Sequence, residues 1–208
     1  MSNSRKQRVK RGPPPKKPIK RRNPASCLPE LLRDFEERCA YSMQHTCRAG
    51  KLEVDHFDPR RKKDLIQNYN NLFPASRHCN GKKSDTWPNK AERAAGCRFL
   101  NPCEEMDYGE QIFEDPVTHR LLGTTPAAVW HIRVCGLNAD QLVAERKRRA
   151  DHWKTLNKLG VHRLKGSRRD RTPLDARIRH VADMITQFRE EVALMIPEIS
   201  PPPGSAAA

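Results

Sequence analysis

Apolar residues recur at helical spacing in several stretches of the chain and alternate with polar ones in one. Behind Pro29, Leu31, Leu32, Phe35 and Cys39 predict a first helix over 28–41. Over 51–57, Leu52, Val54 and His56 alternate with Glu53 and Asp55, which predicts a short strand ended by Asp58-Pro59. A polar loop over 60–71 and a brief apolar patch, Leu72-Phe73, follow, and then short helices over 74–83 and 88–95. Ile112-Phe113 and Leu121-Leu122, on either side of Asp115-Pro116, predict a hairpin over 111–123.

Helices dominate from there on. Thr125-Pro126 is an N-cap followed by a first-turn proline, opening a helix to 135. Asn138 is expected to cap the next, which carries Leu142, Val143, Trp153, Leu156 and Leu159. Ile178, Val181, Ile185, Phe188, Val192 and Ile196 form the stripe of a last long helix over 173–196. That stripe is expected to be core, with docking of a partner helix as the alternative. The fold class is therefore α+β: a small core in a mainly helical chain with a C-terminal helical extension. Four segments are expected: a basic, proline-rich disordered arm (1–26), a core with its hairpin (27–123), the helical extension (124–196) and a disordered tail (197–208).

Charge changes this picture at one end. Lys and Arg number 40 against 25 Asp and Glu, a net +15, and ten of the basic residues fall within 1–22, ahead of the first carboxylate, Glu30. Such a stretch, broken by Pro13, Pro14, Pro15 and Pro18, reads as a solvated arm: a polyanion grip or a solubilising tail. No apolar run approaches the roughly 18–20 residues of a membrane span, and the first 20 residues lack the apolar stretch of a secretory signal. The seven cysteines are odd in number and irregularly spaced. A reduced, cytoplasmic (bacterial) protein without a disulfide framework is expected.

The chemistry concentrates between 53 and 85. Asp55-His56 ends the predicted strand, putting a hard oxygen ligand for Mg²⁺ beside a base that titrates near neutrality. Asn80, 24 residues after His56, can close a metal site from a short helix without adding charge. This division of labour suits phosphodiester hydrolysis: His56 takes a proton from water, and a divalent cation stabilises the charge that develops. Lys82 and Lys83 are candidate phosphate contacts or solvated surface. Trp87, Trp130 and Trp153 are expected in the core, with stacking on bases as the alternative, and His78, His119 and His131 outside the chemistry.

Asp55-His56, Asn71-Leu72, then Asn80 nine residues after Asn71, followed by Lys83 and Ser84-Asp85, resemble the HNH motif of ββα-metal endonucleases. The resemblance implies a ββα-metal core and DNA cleavage with Mg²⁺ or Mn²⁺ that leaves 5′-phosphate and 3′-hydroxyl ends. It casts His56 as general base, Asp55 and Asn80 as metal ligands, and Asn71 as the group orienting the imidazole. Many members add two Cys-x-x-Cys pairs on structural Zn²⁺. Here the matching places read Cys39-Ala-Tyr-Ser42 and Ser76-Arg-His-Cys79, leaving Cys39 and Cys79. Those two are either buried thiols or part of a different set with His45, Cys47 and His78. More weakly, 98–102, 110–115 and 136–146 are similar to HNH subunits of bacterial antiphage systems of the Septu and retron-associated type. That likeness implies an ATPase or sensor protein as partner. The alternative throughout is a non-catalytic basic subunit that binds nucleic acid or serves as an interaction subunit.

Overall fold

The computed structural model describes residues 8–19, 24–61, 65, 67–164 and 171–204. Parts of the expected arm (1–7 and 20–23), the basic run at 165–170, the last four residues and the side chains of Leu159, Ile178 and Val181 lie outside the described residues.

Helix α1 (Leu28–Asp34) stops well short of residue 41. Glu36 and Glu37 take left-handed backbone angles, φ 52° and 56°, and the Glu37 N–H returns to the Leu32 carbonyl. The chain thus folds into a tight loop, in which Cys39 and Gln44 share a backbone bond and the Ala40 N–H reaches the Pro74 carbonyl. A short helix α2 (Thr46–Ala49) leads into strand β1 (Glu53–His56). Strand β2 (Leu72–Ala75) pairs with it antiparallel, Glu53 opposite Ala75 and His56 opposite Leu72. Pro74, expected to open a helix, therefore lies in a strand; in a two-stranded sheet its missing N–H costs no ladder bond to a third strand.

Helix α3 (Arg77–Lys83) begins one turn later than expected, because Ser76 is its cap, accepting the Cys79 N–H at 3.3 Å. Helix α4 (Lys90–Ala94) carries a capping box between Asn89 and Glu92. The hairpin is present as β3 (Ile112–Glu114) and β4 (Leu121–Gly123), and Thr125 caps α5 (Pro126–Val134) through the Ala128 N–H. Asn138 does not cap α6 (Asp140–Leu164). Its amide is spent on both backbone groups of Leu121, at 2.7 and 2.9 Å, which staples the hairpin to the helices. The last helix, α7 (Arg171–Ala193), lies against α6, where Ile185 and Val192 meet Leu156.

One apolar cluster runs from Tyr41, Leu52 and Cys79 through Phe99 and Leu121 to Trp130, Leu142, Ile196 and Ile199. The division expected at residue 123 is thus not a division of the core. Two segments read as disordered are also packed. Arg38 donates to the carbonyls of Met43, Ala193 and Met195, and Arg149 to those of Ile196 and Pro197. These bonds and the burial of Ile199 hold the start of the tail. In the arm, the Val9 N–H reaches the Pro102 carbonyl at 2.7 Å and Ile19 is buried. Scattered anchors in a polar stretch leave no mark in composition, and long-range burial overrides it.

Candidate active site

Strand β1 ends in Asp55 and His56, and α3 packs across it. The two elements enclose a cleft lined by Glu53, Asp55 and His56 from β1, and by Asn80, Ser84 and Asp85 in and after α3. Three of the four residues singled out in the sequence thus share one cleft. The fourth, Asn71, sits where β2 begins. Its side-chain oxygen accepts the Asp58 N–H at 2.8 Å, its amide donates to the Asp58 carbonyl at 3.3 Å, and its own carbonyl accepts from the Phe57 N–H. Asn71 therefore holds the turn that follows His56, and any influence on the imidazole runs through that backbone.

The surroundings of Asp55 differ from expectation. Its carboxylate is buried, accepts the Tyr41 hydroxyl, and lies against the Lys83 ammonium, 3.1 Å from Oδ1 and 3.0 Å from Oδ2. Burial and then the adjoining negative charge of Asp55 push the Tyr41 hydroxyl well above its ordinary range, so it remains a proton donor. Lys83 is fully buried and also donates to the His56 carbonyl at 2.9 Å. It is not available to a phosphate, which corrects the sequence-based expectation. Lys82, one residue earlier, is exposed, but it borders a separate depression with Arg120 and Arg133.

Asn80 donates to Glu53 Oε2 at 2.7 Å. Glu53 is a cleft residue that the motif did not single out, although strand alternation already put it on the same face as Asp55. Tyr41 left no comparable signal, because only the loop after α1 carries it to the carboxylate.

Cys39 and Cys79 do meet. The two buried thiols are hydrogen-bonded to each other, with Ser42 and Ser76 beside them. Burial opposes ionisation of Cys39, but the Cys79 thiol and Ser42 donate to it and bring it below its usual range. Its bond to Cys39, reinforced by burial, pushes Cys79 up. Two thiols with two serines do not make the four sulfur or nitrogen ligands of structural zinc. The other donors are not gathered around them. His45 accepts the Cys47 N–H and faces Glu37, while His78 is bonded to the Gly136 carbonyl and Gln141. Among the described residues no group of three or more His, Cys, Asp or Glu side chains is placed to hold a metal. His119 pairs with Glu114 and His131 accepts the Leu100 N–H, both structural as expected.

The oxygen donors of the cleft come from Glu53, Asp55, Asn80, Ser84 and Asp85, beside the His56 imidazole and the Arg77 guanidinium. That set fits a hard divalent cation such as Mg²⁺, which takes one or two carboxylates and keeps several waters.

Residues 37–86 match the model of a family described as HNH endonuclease, a span that covers β1, β2 and α3. No curated protein and no solved structure matches the chain. No helix among the described residues is long and apolar enough to cross a membrane.

Proposed function

With an HNH-type segment over residues 37–86 as the premise, we propose that the chain is a metal-dependent endonuclease that hydrolyses DNA phosphodiester bonds in the cleft between β1 and α3. The supporting observation is that Asp55, His56 and Asn80 line the same cleft. His56 is the general base that accepts a proton from the attacking water. The turn behind it is held by Asn71, and its carbonyl by Lys83, so the imidazole is carried on a rigid strand end. Asp55 keeps its position through Tyr41 and Lys83, and Asn80 through Glu53. Asp55 and Asn80, with Glu53 alongside, would hold a Mg²⁺ or Mn²⁺ ion, which when bound would supply positive charge to the phosphate and the leaving 3′ oxygen. The products are 5′-phosphate and 3′-hydroxyl ends.

The nuclease is further read as the effector of an antiphage defence complex controlled by an ATPase or sensor partner. The resemblance of 98–102, 110–115 and 136–146 to such subunits supports this. A pull-down of the full chain is expected to recover one stoichiometric ATPase.

The deciding experiment incubates the protein with supercoiled plasmid and Mg²⁺ or Mn²⁺, alongside His56→Ala. Loss of a general base is expected to slow nicking by about 10²–10⁴-fold, with DNA binding nearly unchanged. Equal cleavage by both proteins removes the mechanism. Binding by the wild type with no cleavage under either ion favours the non-catalytic alternative.

A further inference from the structure

We propose that residues 8–19 are a docked basic clamp that grips the phosphate backbone of duplex DNA beside the cleft. The choice of ligand rests on the nuclease reading above.

The arm is fixed at both ends. The Arg11 guanidinium lies 4.6, 5.0 and 5.1 Å from the ring centres of Phe73, Tyr69 and Phe35. It also donates to the carbonyls of Leu72 and Tyr69, at 2.8 and 3.3 Å, and to the Cys103 sulfur. Ile19 is buried with Leu31, Tyr69 and Leu72, and its carbonyl accepts from Gln67 at 2.7 Å. Between these anchors the Pro13 carbonyl accepts from Arg33, and a Cβ on Gly12 would meet Arg33 Nη2 at 2.5 Å, so the chain runs directly over α1.

What the arm turns to solvent is basic. Arg8, Lys10, Lys16 and Lys17 are exposed, and the segment contains no carboxylate. Its position suits the site, since the cluster that holds Ile19 also packs Val54, which β1 sets between Glu53 and Asp55. A free tail would have to be ordered when it binds; here folding already fixes the backbone that carries the lysines, so less ordering remains when phosphates bind.

The ring inventory selects the form of the nucleic acid. Single strands are held by stacking on exposed aromatic rings. Among the described residues none of the three Trp, three Tyr and six Phe is exposed, and the rings beneath the arm are covered by Arg11. Cations without stacking surfaces grip a duplex by its phosphates, without sequence preference.

The test is fluorescence anisotropy in EDTA, with duplex and single-stranded DNA of about 20 units chosen to span a phosphate track. The full chain is compared with Lys10→Gln/Lys16→Gln/Lys17→Gln over a salt series. Each neutralised phosphate contributes about 0.9 to the log–log salt slope, so the triple variant is expected to lose about 2–3 from it, with at least tenfold weaker duplex binding. The wild type is expected to prefer duplex. An unchanged slope, or tighter binding of the single strand, overturns the proposal. A second variant, Arg11→Gln, keeps the lysines but releases the anchor. It is expected to weaken binding and to raise alkylation of Cys103 by iodoacetamide; wild-type affinity with wild-type alkylation overturns the docking. Because EDTA suppresses cleavage, the clamp and the nuclease reading fail separately. Binding as expected without any cleavage in Mg²⁺ defeats only the latter, and cleavage with an unchanged salt slope defeats only the former.

Discussion

The Lys83 ammonium lies 3.0 Å from Asp55 Oδ2 and 2.9 Å from the His56 carbonyl, and no part of its side chain reaches solvent. A buried cation on α3 thus ties down both residues that end β1. Removing one partner of a buried pair leaves an uncompensated charge, which costs about 3–5 kcal/mol. Lys83→Met is expected to lose about that much in urea unfolding, and Asp55→Asn/Lys83→Met to recover part of it. A loss below about 1 kcal/mol for Lys83→Met contradicts the account, since surface substitutions already span about half that range.

Glu53 offers a test that separates the proposed metal binding from stability. It is exposed and bonded to Asn80, so Glu53→Gln is expected to stay within about 0.5 kcal/mol of wild type in thermal unfolding. Under the proposed mechanism the Mg²⁺ concentration for half-maximal cleavage is expected to rise, because a carboxylate beside the proposed ion site is neutralised. An unchanged Mg²⁺ titration removes Glu53 from the site.

Asn71 works through the backbone. Asn71→Ala removes the two hydrogen bonds that the Asn71 side chain makes to the Asp58 backbone. At about 0.5–1.5 kcal/mol for each hydrogen bond, the loss is expected to be about 1–3 kcal/mol, measurable in urea. Single-turnover cleavage should fall by less than for His56→Ala; a larger fall would make Asn71 a direct participant.

The tail is structural. Ending the chain at residue 194 removes Ile196 and Ile199 from the core and the carbonyls that Arg149 holds. Met195 is lost with them, and at about 1.5–3 kcal/mol for each of the three buried side chains the truncation is expected to cost about 4.5–9 kcal/mol. A melting temperature within a degree or two of wild type refutes this.

Glu105 sets an acid limit. Burial raises its pKa, but the Arg98 guanidinium, Gln111 and the Asn101 N–H outweigh burial and hold it below the usual carboxylate range. A depressed folded pKa gives stability that is present above the unfolded value and lost as pH falls through the folded one. Thermal unfolding of Glu105→Gln should therefore converge with wild type as pH drops below about 4, where an ordinary glutamate titrates. A constant gap between the two across that range excludes the linkage.

Much of the fold was legible because its signals are local. The alternation around Asp55 marks β1, the turn at Asp115-Pro116 marks the hairpin, and Thr125-Pro126 opens α5. Features that depend on distant partners were not. Glu36 and Glu37 end α1 in left-handed conformations that a sequence rich in helix formers conceals. Asn138 looks like a cap until Leu121 is beside it, and Arg11 looks like one more solvated cation until three rings surround it.

By itself, the chain's order of residues determined which functional groups travel together: acid next to imidazole on a strand, and amides at Asn71 and Asn80 further on. Only the tertiary structure decided which of them meet solvent and which are consumed internally. Lys82 and Lys83 are chemically identical neighbours, yet one is exposed and the other buried on Asp55. Successive residues of a helix point about 100° apart, so the rotation of α3, set by the burial of Cys79, assigns the two lysines opposite roles.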